Sequence, residues 1–150
     1  MMKTILRAVT AGLVALALPN VVHATGAAAA RQATAQVSVA DATPFVGDWT
    51  LALQGPNGPG TFALSISVEK QQVSAEIASD AVAKQPISTI YLVDKSLVLG
   101  YSFLYECNTV NAVVSLTPDK DGKTSAQIDF AGGAYVMTGS ATKNDKEKGK

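Results

Sequence analysis

Phe62-Ala63-Leu64-Ser65-Ile66-Ser67-Val68-Glu69 places a large apolar side chain at every second position, with small or polar ones between. A period of two is the signature of a strand with one face on a core and the other on water. The same alternation recurs downstream. Leu97, Leu99, Tyr101, Phe103 and Tyr105 alternate with Val98, Gly100, Ser102 and Leu104. Val110, Ala112, Val114 and Leu116 alternate with Asn111, Val113 and Ser115, and Ala126, Ile128 and Phe130 with Ser125, Gln127 and Asp129. Segments 48–54, 72–79, 86–93 and 134–142 complete a set of eight. The fourth of these, 86–93, is the least regular, because Ile90, Tyr91 and Leu92 are all apolar.

Turn signals separate the segments. Gly55-Pro56-Asn57-Gly58-Pro59-Gly60 is the strongest breaker, and Pro118-Asp119-Lys120-Asp121-Gly122 and Gly132-Gly133 are others. Such residues supply the positive φ angles and local side-chain bonds that hairpins need. The connections are too short for the crossovers of a parallel sheet. The expected fold is therefore all-β: an eight-stranded antiparallel up-and-down barrel, with a two-sheet β-sandwich as the alternative. Closure removes the two unpaired edges that an open meander would expose. The polar face, with Ser65, Ser67, Ser74, Glu76, Gln127 and Asp129, is unsuited to lipid, so the apolar face is expected to point inward.

The flanks of this block, residues 44–142, read differently. Residues 1–24 have the form of a signal peptide: Lys3 and Arg7, an apolar run from Ala8 to Leu18, Pro19, then small residues around Ala24. The run is too short to span a membrane. Export to a periplasm or the outside is the expectation. Residues 25–43 are Ala-, Thr- and Gln-rich and read as a flexible leader, and 143–150 as a disordered charged tail.

Removal of the first 24 residues takes away the sole histidine, His23, and two of the 12 basic side chains. Against 12 acids, the remainder is slightly acidic, which argues against nucleic acid as a partner. The sole cysteine, Cys107, is expected to be a small, buried or half-buried apolar residue.

Phe45-Val46-Gly47-Asp48-Trp49 opens the first strand as a Gly-x-Trp. This resembles the start of the calycin barrels, the lipocalin, fatty-acid-binding and avidin group. It also resembles a class of small secreted bacterial lipocalin-like domains, which share a Gly/Pro-rich first hairpin and Asp-x-x-Leu turns such as Asp94-Lys95-Ser96-Leu97. The resemblance implies that Trp49 packs across the closed end of the barrel. In lipocalins an Arg near the last strand lies on that Trp; the 44–142 block contains no Arg.

Catalytic chemistry has few carriers. Without histidine there is no Ser-His or Cys-His pair, and a His/Cys metal site lacks ligands. No phosphate or dinucleotide Gly motif is present. Asp119, Asp121 and Asp129 are the only carboxylates suggestive of a pair, and the first two sit in a Pro-Asp-Lys-Asp-Gly turn where Asp is expected for turn reasons. The expectation is therefore no catalytic residues, no metal and no cofactor. The apolar phase of the strands instead nominates a lumen lined by Trp49, Phe62, Tyr91, Tyr101, Phe103, Tyr105, Phe130, Tyr135 and Met137, with Ala75, Thr89, Ala112, Ala126, Gly139 and Ala141 between them. A charge-free lumen suits a small, uncharged apolar ligand; a buried carboxylate would require a cation. The alternative is a filled barrel that meets a protein partner through loop 55–60 and leader 25–43, as some secreted protease inhibitors do.

Overall fold

The structure, a computed structural model, describes residues 36–145. The expected signal peptide (1–24), most of the expected leader and the end of the expected tail lie outside the described residues. Alternating sequence becomes alternating burial throughout. Along β1 (Gly47–Gly55), Trp49, Leu51 and Leu53 are buried; along β2 (Gly58–Glu69), Leu64 and Ile66. β3 (Gln72–Ser79) buries Val73, Ala75 and Ile77. After β4 (Gln85–Pro86) and β5 (Thr89–Val93) come β6 (Ser96–Tyr105), β7 (Asn108–Pro118), β8 (Thr124–Phe130) and β9 (Tyr135–Asn144).

These nine strands form one antiparallel sheet, ordered β4-β3-β2-β1-β9-β8-β7-β6-β5 and curled into a half-barrel. The strands do not divide into the two sheets of a sandwich. Neighbours in sequence pair as hairpins, except β4 and β5, and one further pairing between distant strands organises the fold. β1 pairs with β9, Asp48 to Gln54 running against Asn144 to Thr138. This seam joins the N-terminal strands β1–β4 to the C-terminal strands β5–β9.

The fourth sequence segment is two strands, which corrects the expected count of eight. Pro86 has no amide hydrogen to donate, and the chain bends after it. Ile87 N–H then donates to Ala75 O of β3 (2.9 Å), and Ser88 N–H donates to Gly100 O of β6 (2.8 Å). Two successive residues thus strap the two margins of the curled sheet. A third bond, Val37 N–H to Ile90 O (3.1 Å), lays the incoming chain on β5. These contacts occupy backbone groups that a bare edge would offer to another chain.

The break also resets the phase of β5. Ile90, opposite Leu99, is buried in the core; Thr89 and Tyr91 stand on the outer face. Tyr91 lies opposite Val98, a buried residue outside the core cluster, and Thr89 occupies the space left by Gly100. Inward placement of Tyr91 and Thr89 is therefore corrected. With three consecutive apolar residues, periodicity alone did not define the face.

Part of the supposed leader is ordered. Ser38 caps helix α1 (Val39–Ala42) by accepting the Asp41 N–H, and a 3-10 turn follows at Thr43–Phe45. Val37, Ala42 and Phe45 are buried in the same core cluster as Trp49 and Leu51. Residues 37–45 are a plug for one end of the half-barrel, held because they bury apolar surface that water would otherwise meet. The central core is tightly filled: Leu51, Leu64, Ile66, Leu97, Leu99, Val114, Leu116 and Ile128 are almost fully shielded.

Candidate functional site

Antiparallel pairing brings most of the nominated residues to the end of the half-barrel away from the plug. Phe130 and Tyr135 face each other across the β8–β9 turn with ring centroids 5.9 Å apart. Phe103 meets Phe130 edge-on at 6.1 Å and stacks with Tyr101 at 5.8 Å. These spacings fall in the favourable range for aromatic pairs. Ala112 sits opposite both Tyr101 and Phe130, and its small side chain leaves the rings room to approach.

The band continues onto β1 and β2 through glycines. A Cβ at Gly55 would lie 2.8 Å from the Tyr135 hydroxyl oxygen and 2.9 Å from Met137 Cγ. One at Gly60 would lie 2.8 Å from Met137 Cε and 3.4 Å from a ring carbon of Phe62. The Gly-rich hairpin is thus a shelf that Tyr135 and Met137 lie against. Phe62, Tyr101, Phe103, Phe130, Tyr135 and Met137 form one band, of which Tyr101 and Met137 are buried and the others half-buried. A cleft of about 440 Å³ opens beside Phe62 and Met137, with Asp80 on its rim.

The remaining nominees lie elsewhere. Tyr91 is on the outer face. Tyr105 has the inward phase but sits at the β6–β7 hairpin tip, beyond the reach of the core, and is 60% exposed. Its neighbour Leu104 is 76% exposed. Cys107 occupies the same tip with φ 65° and is exposed, which corrects its expected burial. A two-residue hairpin places its central residues at positive φ and directs them away from the sheet.

Burial pushes the Tyr101 phenol up from 10.0 to about 12, because desolvation disfavours the phenolate. The native state then keeps a proton that the unfolded chain releases from pH 10 upward. Stability is unaffected by this group below pH 10 and falls as pH rises from 10 toward 12. Tyr101→Phe is expected to lose less of its urea midpoint than the parent between pH 9 and pH 11. Equal losses would remove Tyr101 as the cause.

Trp49 lies at the opposite, plugged end. Its indole N–H donates to Phe45 O (2.7 Å), fixing the 3-10 turn against the strand. Lys143 stands directly across the seam, with Nζ 5.6 Å from the ring centroid and 3.4 Å from Pro44 O, to which it donates. Gly47 explains how the lysine fits: its Cβ would lie 2.8 Å from Lys143 Cε, and its φ of 134° is a glycine conformation. The glycine and tryptophan of Gly-x-Trp are therefore a channel for a lysine stem and the ring beneath its charge. Lys143 belongs to β9, not to a solvated tail. One more step along the alternation Tyr135, Met137, Gly139, Ala141 reaches it, which is the signal the sequence carried.

No family model, curated protein or solved structure matches this chain.

The three nominated carboxylates are not brought together. Asp119 Oδ1 accepts the amides of Asp121 and Lys123 (2.9 and 2.8 Å) within the β7–β8 turn. Asp129 Oδ1 accepts the Gly133 amide in the β8–β9 turn. The two turns lie at opposite ends of β8, roughly 20 Å apart at the usual rise per strand residue. Each aspartate shapes its own turn. Among the described residues no group of three His, Cys, Asp or Glu side chains is placed to hold a metal, and no helix is long and apolar enough to cross a membrane.

Proposed function

We propose that this chain is an exported, non-enzymatic, lipocalin-like binding domain that seats a small, uncharged apolar ligand on the aromatic band. The continuous, half-buried run from Phe62 through Met137, Tyr135, Phe130 and Phe103 carries this reading. An apolar platform whose own members carry no charge, beside a cleft with Asp80 on its rim, rewards a neutral hydrophobe, and the Tyr135 hydroxyl offers one polar contact for orientation. Lys143 over Trp49 supports the calycin likeness, because it supplies a last-strand cation where lipocalins place an arginine. The filled centre of the core confines the ligand to the mouth.

The test is a fluorescence titration with N-phenyl-1-naphthylamine, a neutral hydrophobe, together with native mass spectrometry of protein purified without detergent. Saturable binding is expected, weakened at least tenfold by Phe103→Ala with Phe130→Ala. Non-saturable uptake, or binding indifferent to both substitutions, would count against the band. A second reading, docking of a protein partner, draws on the exposed Leu104 and Tyr105 at the β6–β7 tip. It predicts loss of partner capture in Leu104→Ser/Tyr105→Ser, with titration of the neutral dye unchanged.

A further inference from the structure

We propose that the cleft of about 720 Å³ at the plugged end, beside Trp49, is a second binding site, selective for a small carboxylate with an apolar body. Its wall is Pro44, Phe45 and Trp49, and its two charged lining residues are Lys123 and Lys143. Among the described residues no Asp or Glu lines it. Thr124, Ser140 and Thr142 add hydroxyl groups to the lining. The site stands independently of the aromatic band, which lies at the other end of the sheet and carries no cation.

Lys143 is held through its side chain and Lys123 through its backbone. The stem of Lys143 runs over Gly47, and its ammonium donates to Pro44 O above the Trp49 face. An ammonium has three donors, so the Pro44 carbonyl leaves two for a ligand. Lys123 closes the β7–β8 turn, with its backbone N–H on Asp119 Oδ1 and its carbonyl accepting the Asp119 N–H. Asp119 thereby directs that carboxylate oxygen into the turn. Two lysines lining one cleft, with no acid among its described lining residues, together attract an anion. The proline and aromatic wall beside them suits the apolar body. A neutral ligand of the same shape would gain the wall without the charge.

Trp49 is the only tryptophan in the 150 residues, so its emission reports this site directly. The full chain is titrated with octanoate and, separately, with octan-1-ol. Octanoate should produce a saturable change in Trp49 emission, with octanol binding at least tenfold more weakly. Lys123→Gln/Lys143→Gln should weaken octanoate at least tenfold, and Lys123→Gln alone, in an exposed turn whose backbone bonds persist, at least threefold. Phe103→Ala should leave the octanoate curve unchanged, which separates this site from the band. A flat titration, equal responses to acid and alcohol, indifference to Lys123→Gln, or loss of the response in Phe103→Ala would each overturn the proposal.

Discussion

Gly139→Val is expected to unfold the protein, or to lower its stability by about 3 kcal/mol or more. A Cβ at position 139 would stand 2.0 Å from the Ala52 carbonyl oxygen and 3.0 Å from Leu53 Cα. Both obstacles are main chain, so no side-chain rotation relieves the overlap. Relief requires β9 to move off β1, and that ladder joins the two halves of the sheet. Domains of this size have only about 5–15 kcal/mol to lose. Gly139→Ala should go the same way by a smaller amount. Gly122→Ala should cost less than either, since no atom lies within 4 Å of its Cβ and only the φ of 77° opposes it. Urea midpoints followed by circular dichroism test this order. A Gly139→Val midpoint close to the parent would show that the β1–β9 approach is not as close as described.

Trp49→Ala should cost about 3–5 kcal/mol, the usual range for truncating a buried aromatic. The indole is only 6% exposed, and three other elements depend on it. The 3-10 turn is tied to it through Phe45 O, α1 follows that turn into the core through Ala42, and Lys143 lies over its face. Trp49→Phe keeps an aromatic body but leaves the Phe45 carbonyl without its donor, at a cost of about 1–3 kcal/mol. The ordering parent, Phe, Ala in thermal or urea unfolding is the expected result. Detachment of the plug predicts in addition that amide exchange at Val37, whose N–H bonds Ile90 O, accelerates in Trp49→Ala. If Trp49→Ala and Trp49→Phe proved equally stable, the packing of the ring would not be what holds this end.

Strand identity was legible wherever one face is plainly apolar. Leu64 and Ile66 of β2, and Ala126 and Ile128 of β8, are buried in the phase their spacing predicts. Phase failed at β5, where Ile90-Tyr91-Leu92 offers no contrast between faces and a proline two residues before Ser88 divides the segment. The aromatic band was legible as a list but not as a cluster. Its members come from four strands, and only the β1–β9 pairing sets Met137 against the Gly55–Gly60 shelf. That pairing is a long-range fact that local periodicity does not encode. Tyr105 shows the reverse limit: correct phase, but a strand that outruns the core. The plug is not legible in the sequence because Val37, Ala42 and Phe45 are too few to make a helical pattern, yet each fills a gap that only the finished sheet presents.

The seam also orders events in time. Thr50 and Asn144, bonded across it, are 94 residues apart in sequence. Every hairpin can form by closing a short loop, whereas this ladder requires nearly the whole described chain to come together, at a greater entropic cost. Such distant pairings slow folding. β9 also leaves the ribosome after the other eight described strands. Until it arrives, β1 has only one partner, and the N-terminal strands hold an incomplete core. Completion of the described sheet therefore waits on β9, because only its arrival joins the two sets of hairpins.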